Sequence, residues 1–224
     1  MRRGTFMAVL SVFILLAAGT AASFPLVSET ISDDQTMDEK IKAFLEEHRY
    51  DWRDMNVPEV DGQILYDIII KNGYTKALEI GTSTGKSGIY IAWALSKTGG
   101  KLTTVEINEQ RYNQAVSYFK ELGLDKYVDA RLADAHELVP ELEGPWDFVF
   151  IDADKSWYTN YAKAVIPKLE PGGCIAAHNV YQGRGRYRRG GTGGYYEFME
   201  EQEGFENEIL QESRSGVAVS YKKK

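Results

Sequence analysis

From residue 38 onward, the chain alternates between two patterns of hydrophobic positions. In one pattern apolar residues recur every three or four positions, which predicts amphipathic helices. In the other they form short, nearly continuous runs, which predict buried strands. The predicted helices cover residues 38–48, 61–72, 87–96, 108–122 and 158–169, with a short one at HELVPEL. The predicted strands are KALEI, KLTTVEI, VDARLAD, WDFVFID and GGCIAAHNV.

This order of strands and helices predicts the fold class. Strands that alternate with helices at this spacing form a parallel sheet covered on both faces. After one more helix, the segments ENEILQES and GVAVSYKK are close enough in sequence to pair as a hairpin. The sequence therefore predicts an α/β fold: a Rossmann-like, doubly wound, seven-stranded and mostly parallel sheet with an antiparallel C-terminal edge hairpin.

The N-terminus follows a different pattern. Arg2 and Arg3 precede an apolar run over 6–18, and small residues follow it, which is typical of an export signal. We expect a signal or membrane-anchor-like segment at 1–23 and one domain at 24–224. The protein is then exported, periplasmic or secreted, or associated with a membrane through its N-terminus. A mis-assigned start codon would leave it cytoplasmic.

Composition narrows the classes of partner. A net charge of −7 argues against nucleic acid, because that binding depends on Lys and Arg neutralising phosphates. The single cysteine, Cys174, excludes an internal disulfide and is expected to lie buried in a strand.

A glycine loop, ALEIGTSTGKS, follows the first predicted strand. A phosphate-binding P-loop needs four residues between its first glycine and Gly-Lys-Ser, and only three separate Gly81 from Gly85. The dinucleotide fingerprint also fails, because Ser83 stands where its second glycine would approach a pyrophosphate. The loop is therefore expected to hold a ligand other than a phosphate chain.

Candidate site residues lie where the strands end, because open parallel sheets bind ligands beyond the carboxyl ends of their strands. Glu106 ends the second strand, where a carboxylate can accept both hydroxyls of a ribose. The other strand ends carry Glu79 and Gly81, Asp134 and Ala135, Asp152 to Lys155, and His178 with Asn179.

Six motifs in this order resemble one enzyme family: MNVPEVDGQIL, ALEIGTSTGKS, TTVEIN, DARLADAHEL, FVFIDADKSWY and GGCIAAHNV. They are similar to those of class I S-adenosylmethionine (AdoMet) methyltransferases of the cation-dependent catechol and caffeoyl-CoA O-methyltransferase type. The resemblance covers residues 55–221. It implies AdoMet as cofactor, a divalent cation such as Mg²⁺ or Mn²⁺, and transfer of a methyl group to a small phenolic or catechol-like hydroxyl. The expected partners are this small-molecule acceptor and a second copy of the chain.

The resemblance also implies a role for each motif residue. Asn56 and Val57 would line the cofactor entrance. The methionine part of AdoMet would contact Glu79, Gly81, Ser83 and Ser87. Glu106 would bind the ribose, and Asp134 and Ala135 would flank the adenine. Asp152, His178 and Asn179 take the metal-ligand positions, with Asp152 also beside the cofactor, and Lys155 takes that of the general base, with Asp154 and Tyr158 alongside.

One position departs from the family pattern. The family usually has Asp-Asn where this chain has His178-Asn179. Magnesium prefers oxygen ligands, whereas imidazole suits zinc, iron or nickel. Three hypotheses stay open: a divalent site that accepts histidine, a metal-free enzyme in which His178 is a base or orienter, and a non-catalytic AdoMet-binding protein. A nicotinamide-dependent oxidoreductase is a further alternative, although the pyrophosphate glycine is missing.

The segment YQGRGRYRRGGTGGYY, which contains the loop 182–194, has two interpretations. It is either a solvated loop or a lid over the substrate, with arginines for an anionic group and Tyr187, Tyr195 or Tyr196 for an aromatic ring. Its arginines are Arg184, Arg186, Arg188 and Arg189. His48 and His136 are expected to be surface helix residues.

Overall fold

A computed structural model of the chain describes residues 33–52, 55–181, 192 and 194–224. The predicted signal segment and the four loop arginines, with Tyr187, lie outside these residues. Export, membrane association and dimer formation therefore stay predictions. Within the described part of the chain, no helix combines the length and the apolar character needed to cross a membrane.

The described strands form one seven-stranded sheet in the order β3-β2-β1-β4-β5-β7-β6. The first five strands are parallel, and β7 pairs antiparallel with both β5 and β6. This confirms the predicted fold class. The strands are β1 Lys76–Ile80, β2 Lys101–Glu106, β3 Val128–Leu132, β4 Trp146–Ile151, β5 Leu169–His178, β6 Phe205–Leu210 and β7 Val217–Lys222.

The helix ends agree with the predicted segments to within five residues, the largest difference being the earlier start of α1. Helix α4 shows why: Asn108 caps its first turn by accepting a hydrogen bond from the Arg111 amide, and Gly123 ends it in a left-handed conformation. The helices are α1 Asp33–Glu47, α2 Glu59–Asn72, α3 Lys86–Thr98, α4 Glu109–Leu122, α5 Ala135–Glu141, α6 Tyr158–Val165 and α7 Tyr195–Glu200.

Both faces of the central strands are buried. In β4, Phe148 and Phe150 belong to the core that contacts α2 and α3, whereas Val149 and Ile151 belong to the core beneath α5, α6 and α7. A strand covered on two faces has no polar face, which explains the continuous apolar run in its sequence. Cys174 is buried in β5, as predicted.

The structure corrects one predicted lid residue. Tyr195 is completely buried, and its ring packs edge-to-face on Tyr158 with centroids 5.8 Å apart. The first turn of α7 places this side chain on the core face of the helix, so Tyr195 stabilises the fold and cannot reach a substrate.

Candidate functional site

The glycine loop connects β1 to α3 through unusual backbone angles. Gly81 has a φ of 102°, and a Cβ added there would lie 2.5 Å from the carbonyl oxygen of Asp152. Only glycine fits such a close approach between the ends of β1 and β4. Ser83 has a φ of 50°, which is uncommon for a residue with a side chain and concentrates at functional sites.

Glu79 lies at the end of β1 with its carboxylate fully buried. Its Oε2 accepts a 2.6 Å hydrogen bond from Thr104, whereas its Oε1 has no hydrogen-bond partner among the described residues. The buried Oγ of Ser83 likewise has no hydrogen-bond partner among the described residues. Burial raises the pKa of Glu79 to about 8, against the lowering effect of the hydrogen bond with Thr104. Within the part of the chain that the structure describes, the site thus presents two buried polar atoms without a hydrogen-bond partner.

Glu106 links the loops that follow β1 and β2. Its Oε2 accepts a 2.7 Å hydrogen bond from the Ser83 amide, and its Oε1 accepts one of 2.9 Å from the Asn108 amide. A carboxylate has about four lone-pair positions, so each oxygen can accept a second donor. The strained Ser83 backbone is held by the same carboxylate that is predicted to bind the ribose.

The predicted entrance residues contact the glycine loop from the segment before α2. Asn56 Nδ2 donates a 3.0 Å hydrogen bond to Thr84 Oγ1. Val57 is buried and packs in the core with α2, and Ser87 is buried in the first turn of α3. The structure therefore brings all of the predicted methionine-side residues to the end of β1.

The predicted adenine residues lie at the start of α5. Asp134 caps this helix by accepting a 2.9 Å hydrogen bond from the His136 amide, and Ala135 is buried. The His136 ring stacks on Trp157 with centroids 4.0 Å apart and lies 3.4 Å from a carboxylate oxygen of Asp154. His136 thus lies in α5 with its side chain 31% exposed, at the surface as expected and packed on one face.

His48 lies one residue beyond the end of α1 and is partly exposed. Its ring stacks on Phe44 with centroids 4.0 Å apart.

A second group surrounds Asp152, beyond the end of β4. Its Oδ1 accepts hydrogen bonds from Lys155 Nζ at 3.1 Å and from the Tyr158 hydroxyl at 3.3 Å. Burial, followed by the charge of Asp152, raises the pKa of Tyr158 well above its usual value. Tyr158 is therefore a neutral donor, whereas the Lys155 side chain is 34% exposed and reaches solvent.

His178, at the end of β5, lies between two carboxylates. Its Nδ1 is 3.1 Å from Asp152 Oδ2, and its Nε2 is 2.9 Å from Asp61 Oδ2. Because ionised carboxylates only accept hydrogen bonds, both ring nitrogens must carry hydrogen. Burial lowers the pKa of His178, but hydrogen bonds with Asp152 and Asp61 raise it further, to about 9. His178 is an imidazolium in this arrangement.

Asp61 is the site residue that the sequence did not reveal. It is 1% exposed. Burial raises its pKa, yet the hydrogen bond and the charge of His178 outweigh that effect and hold the pKa below the ordinary value. An acidic residue in the first turn of a helix is also what the helix dipole favours at the surface. From the sequence alone, Asp61 could be a surface residue that the helix dipole favours or a buried site residue. Only its burial and its contact with His178 show that it is a site residue.

The predicted metal ligands do not fit a divalent cation. A protonated imidazole has no lone pair to donate, and both nitrogens of His178 are occupied by carboxylates. Asn179 has a left-handed backbone with a φ of 57°, and its Nδ2 donates to the Ser215 carbonyl at 3.4 Å. Among the described residues, no group of three His, Cys, Asp or Glu side chains could hold a metal ion. The assignment of Asp152, His178 and Asn179 as a cation site therefore stays a prediction, which this donor geometry does not favour.

Comparison with known proteins identifies the family. Residues 28–186 match a family model described as O-methyltransferase, which covers more than half of the chain. The chain belongs to the O-methyltransferase family. This confirms the resemblance that the six motifs indicated.

Two curated members of the family illustrate the similarity. The flavonoid 3',5'-methyltransferase of Vitis vinifera is 31% identical over 145 residues, which are 62% of this chain and 61% of the relative. The caffeoyl-CoA O-methyltransferase of Stellaria longipes is 33% identical over 136 residues, 58% of this chain and 56% of the relative. The chain thus spans about three fifths of the length of these relatives.

Solved structures show the same fold. The O-methyltransferase from Bacillus cereus in complex with SAH has a TM-score of 0.67 at 24% identity, covering 87% of this chain and 94% of that one. The O-methyltransferase of tomaymycin synthesis from Streptomyces achromogenes, in complex with SAM, has a TM-score of 0.68 at 23% identity, covering 88% and 93%.

Proposed function

We propose that the chain is an AdoMet-dependent O-methyltransferase that acts on the hydroxyl of a small phenolic or catechol-like acceptor. Family membership supports the reaction class. The names of the two relatives, which refer to a flavonoid and to caffeoyl-CoA, support a phenolic acceptor. The observation that carries the proposal is the buried, unpartnered Oε1 of Glu79 at the end of β1, beside the glycine loop.

The cofactor residues fit AdoMet. A buried polar atom without a partner costs about 1–3 kcal/mol, so a ligand that supplies a donor there gains binding energy. The methionine ammonium of AdoMet is such a donor for Glu79 Oε1 and Ser83 Oγ. Glu106 has lone pairs left for the ribose hydroxyls. A pyrophosphate would find no matching glycine at Ser83 and would meet the charge of Glu106.

In this proposal the residues around Asp152 handle the acceptor. AdoMet supplies an electrophilic methyl group, and an attack on it requires the acceptor hydroxyl to lose its proton. Lys155 accepts that proton after its own proton has passed to solvent, and Asp152 and Tyr158 fix the position of its amine. Because Lys155 is partly exposed, the proton can then pass to solvent. Holding the nucleophile in line with the methyl group is expected to contribute most of the acceleration.

The proposed function predicts turnover of AdoMet to S-adenosylhomocysteine with a panel of catechols and monophenols. The measurement is mass spectrometry of both products, with and without acceptor. Binding of AdoMet without turnover of any acceptor would favour the non-catalytic alternative. Binding of NAD in place of AdoMet in calorimetry would favour the oxidoreductase.

Binding of AdoMet is expected to release close to one proton at pH 7. Free Glu79 has a pKa of about 8 and holds its proton at that pH, whereas a bound ammonium favours the ionised form. The release should fall as the pH rises through 8, because Glu79 is then already ionised. Calorimetry in buffers of different ionisation enthalpy measures it.

The matched comparison uses Glu79→Gln, which cannot ionise, and Glu121→Gln, an exposed position in α4. Only Glu79→Gln should lose the proton release. Equal release from both variants would show that Glu79 does not face the ammonium.

A further inference from the structure

We infer that His178, held between Asp61 and Asp152, takes the place of the family's cation, so that this chain transfers methyl groups without a divalent metal. Asp61 is then a positioning residue that acts through His178. The inference rests on the proposed function and deepens it, because it concerns the charge that supports the same reaction.

The charges in the site balance without a cation. Before Lys155 gives up its proton, Asp61 and Asp152 carry two formal negative charges and His178 and Lys155 two positive ones, joined by contacts of 2.9–3.1 Å. Buried charges are stable only when they are paired and hydrogen-bonded. A divalent ion added to these four side chains would leave an excess of positive charge beside His178, which is only 5% exposed. It would also have to displace His178 from Asp152.

The geometry explains what the imidazolium does. His178 holds Oδ2 of Asp152, which turns Oδ1 toward Lys155 and Tyr158. On the other side, Nε2 of His178 holds Asp61 Oδ2 at 2.9 Å. These contacts form one chain from Asp61 in α2 to the Lys155 amine. Asp152 is thus oriented by His178, and no bound cation is needed to hold it in place.

The first test uses the full-length wild-type protein. Methyl transfer to catechol is measured in chelator and with added Mg²⁺ or Mn²⁺, while the metal content is measured by mass spectrometry and Mn²⁺ binding by calorimetry. We expect equal rates in all conditions and no stoichiometric metal. Loss of activity in chelator that Mn²⁺ restores, or one tightly bound metal per chain, would overturn the inference and leave the proposed function intact.

If no acceptor is methylated in any condition, the proposed function fails instead. The Mn²⁺ titration then still tests whether Asp61, Asp152 and His178 bind a divalent cation, because it requires no turnover.

A second test creates the missing ligand. His178→Asp brings three carboxylates together, which favours a hard divalent cation. Mn²⁺ should raise the melting temperature of this variant and leave the wild type unchanged. An equal shift in both proteins, or in the wild type alone, would contradict the inference.

The third test addresses Asp61. We expect Asp61→Asn to lower kcat about 10-fold, the lower end for partners that orient a catalytic group, without changing the KM for AdoMet. Nitrogen NMR of the His178 ring should show two protonated nitrogens in the wild type and one in the variant. Asp67→Asn, an exposed position of the same helix, is the control and should match the wild type. An unchanged ring signal in Asp61→Asn would refute the positioning role.

Discussion

Replacing Lys155 with methionine is expected to lower the turnover number by about 10²–10⁴-fold, the usual contribution of a general base. The amine lies 3.1 Å from Asp152 Oδ1 and 3.4 Å from the Tyr158 hydroxyl, so its position is fixed before the acceptor binds. Methionine keeps the length and apolar stem of the side chain but cannot take a proton. Because the loss concerns the chemical step, the affinity for AdoMet should stay the same. Single-turnover kinetics and calorimetry measure the two quantities separately.

Two further variants show whether Lys155 acts through its proton or its charge. Lys155→Arg keeps the positive charge, but a guanidinium does not lose its proton in proteins. We expect it to be as inactive as Lys155→Met. Lys163→Met changes an exposed lysine of α6 and should have wild-type activity. Recovery of activity in Lys155→Arg would indicate that charge, and not proton transfer, is the contribution of Lys155.

The fold could be predicted because local patterns encode it. The continuous apolar run of β4 reflects burial on both faces, and the capping residues Asn108 and Gly123 stand at the ends of α4. Parallel strands also place all their carboxyl ends at one edge. The predicted site residues Glu79, Glu106 and Asp152 therefore meet near the glycine loop, as the motif order implied.

Contacts between distant segments could not be predicted in the same way. Asp61 and His178 are 117 positions apart, and no local pattern indicates that their side chains meet. The sequence shows a histidine at position 178 but not its two carboxylate neighbours, so a divalent site and a metal-free role of His178 both remain open from the sequence alone. The same limit applies to Tyr195, because the side of α7 that faces the core depends on how a short helix packs on α6 and the sheet.

Glu106 is expected to supply a large share of AdoMet affinity. Its carboxylate is buried at the end of β2 with lone pairs left for two hydroxyls. Hydrogen bonds to a charged group contribute about 1.5–3 kcal/mol, so Glu106→Gln should weaken binding by roughly 10- to 150-fold. Calorimetric titration measures the change, and Glu121→Gln serves as the exposed control.

The choice of glutamine rather than alanine follows from the contacts of Glu106 with Ser83 and Asn108. Alanine removes both acceptors, so the Ser83 and Asn108 amides lose their partner and the strained Ser83 backbone is no longer held in place. This variant should therefore lower the melting temperature as well as the affinity. Glutamine keeps one oxygen for a backbone amide and mainly removes the charge. If Glu106→Gln binds AdoMet as tightly as the wild type while Glu106→Ala only loses stability, the carboxylate holds the loop and does not bind the ribose.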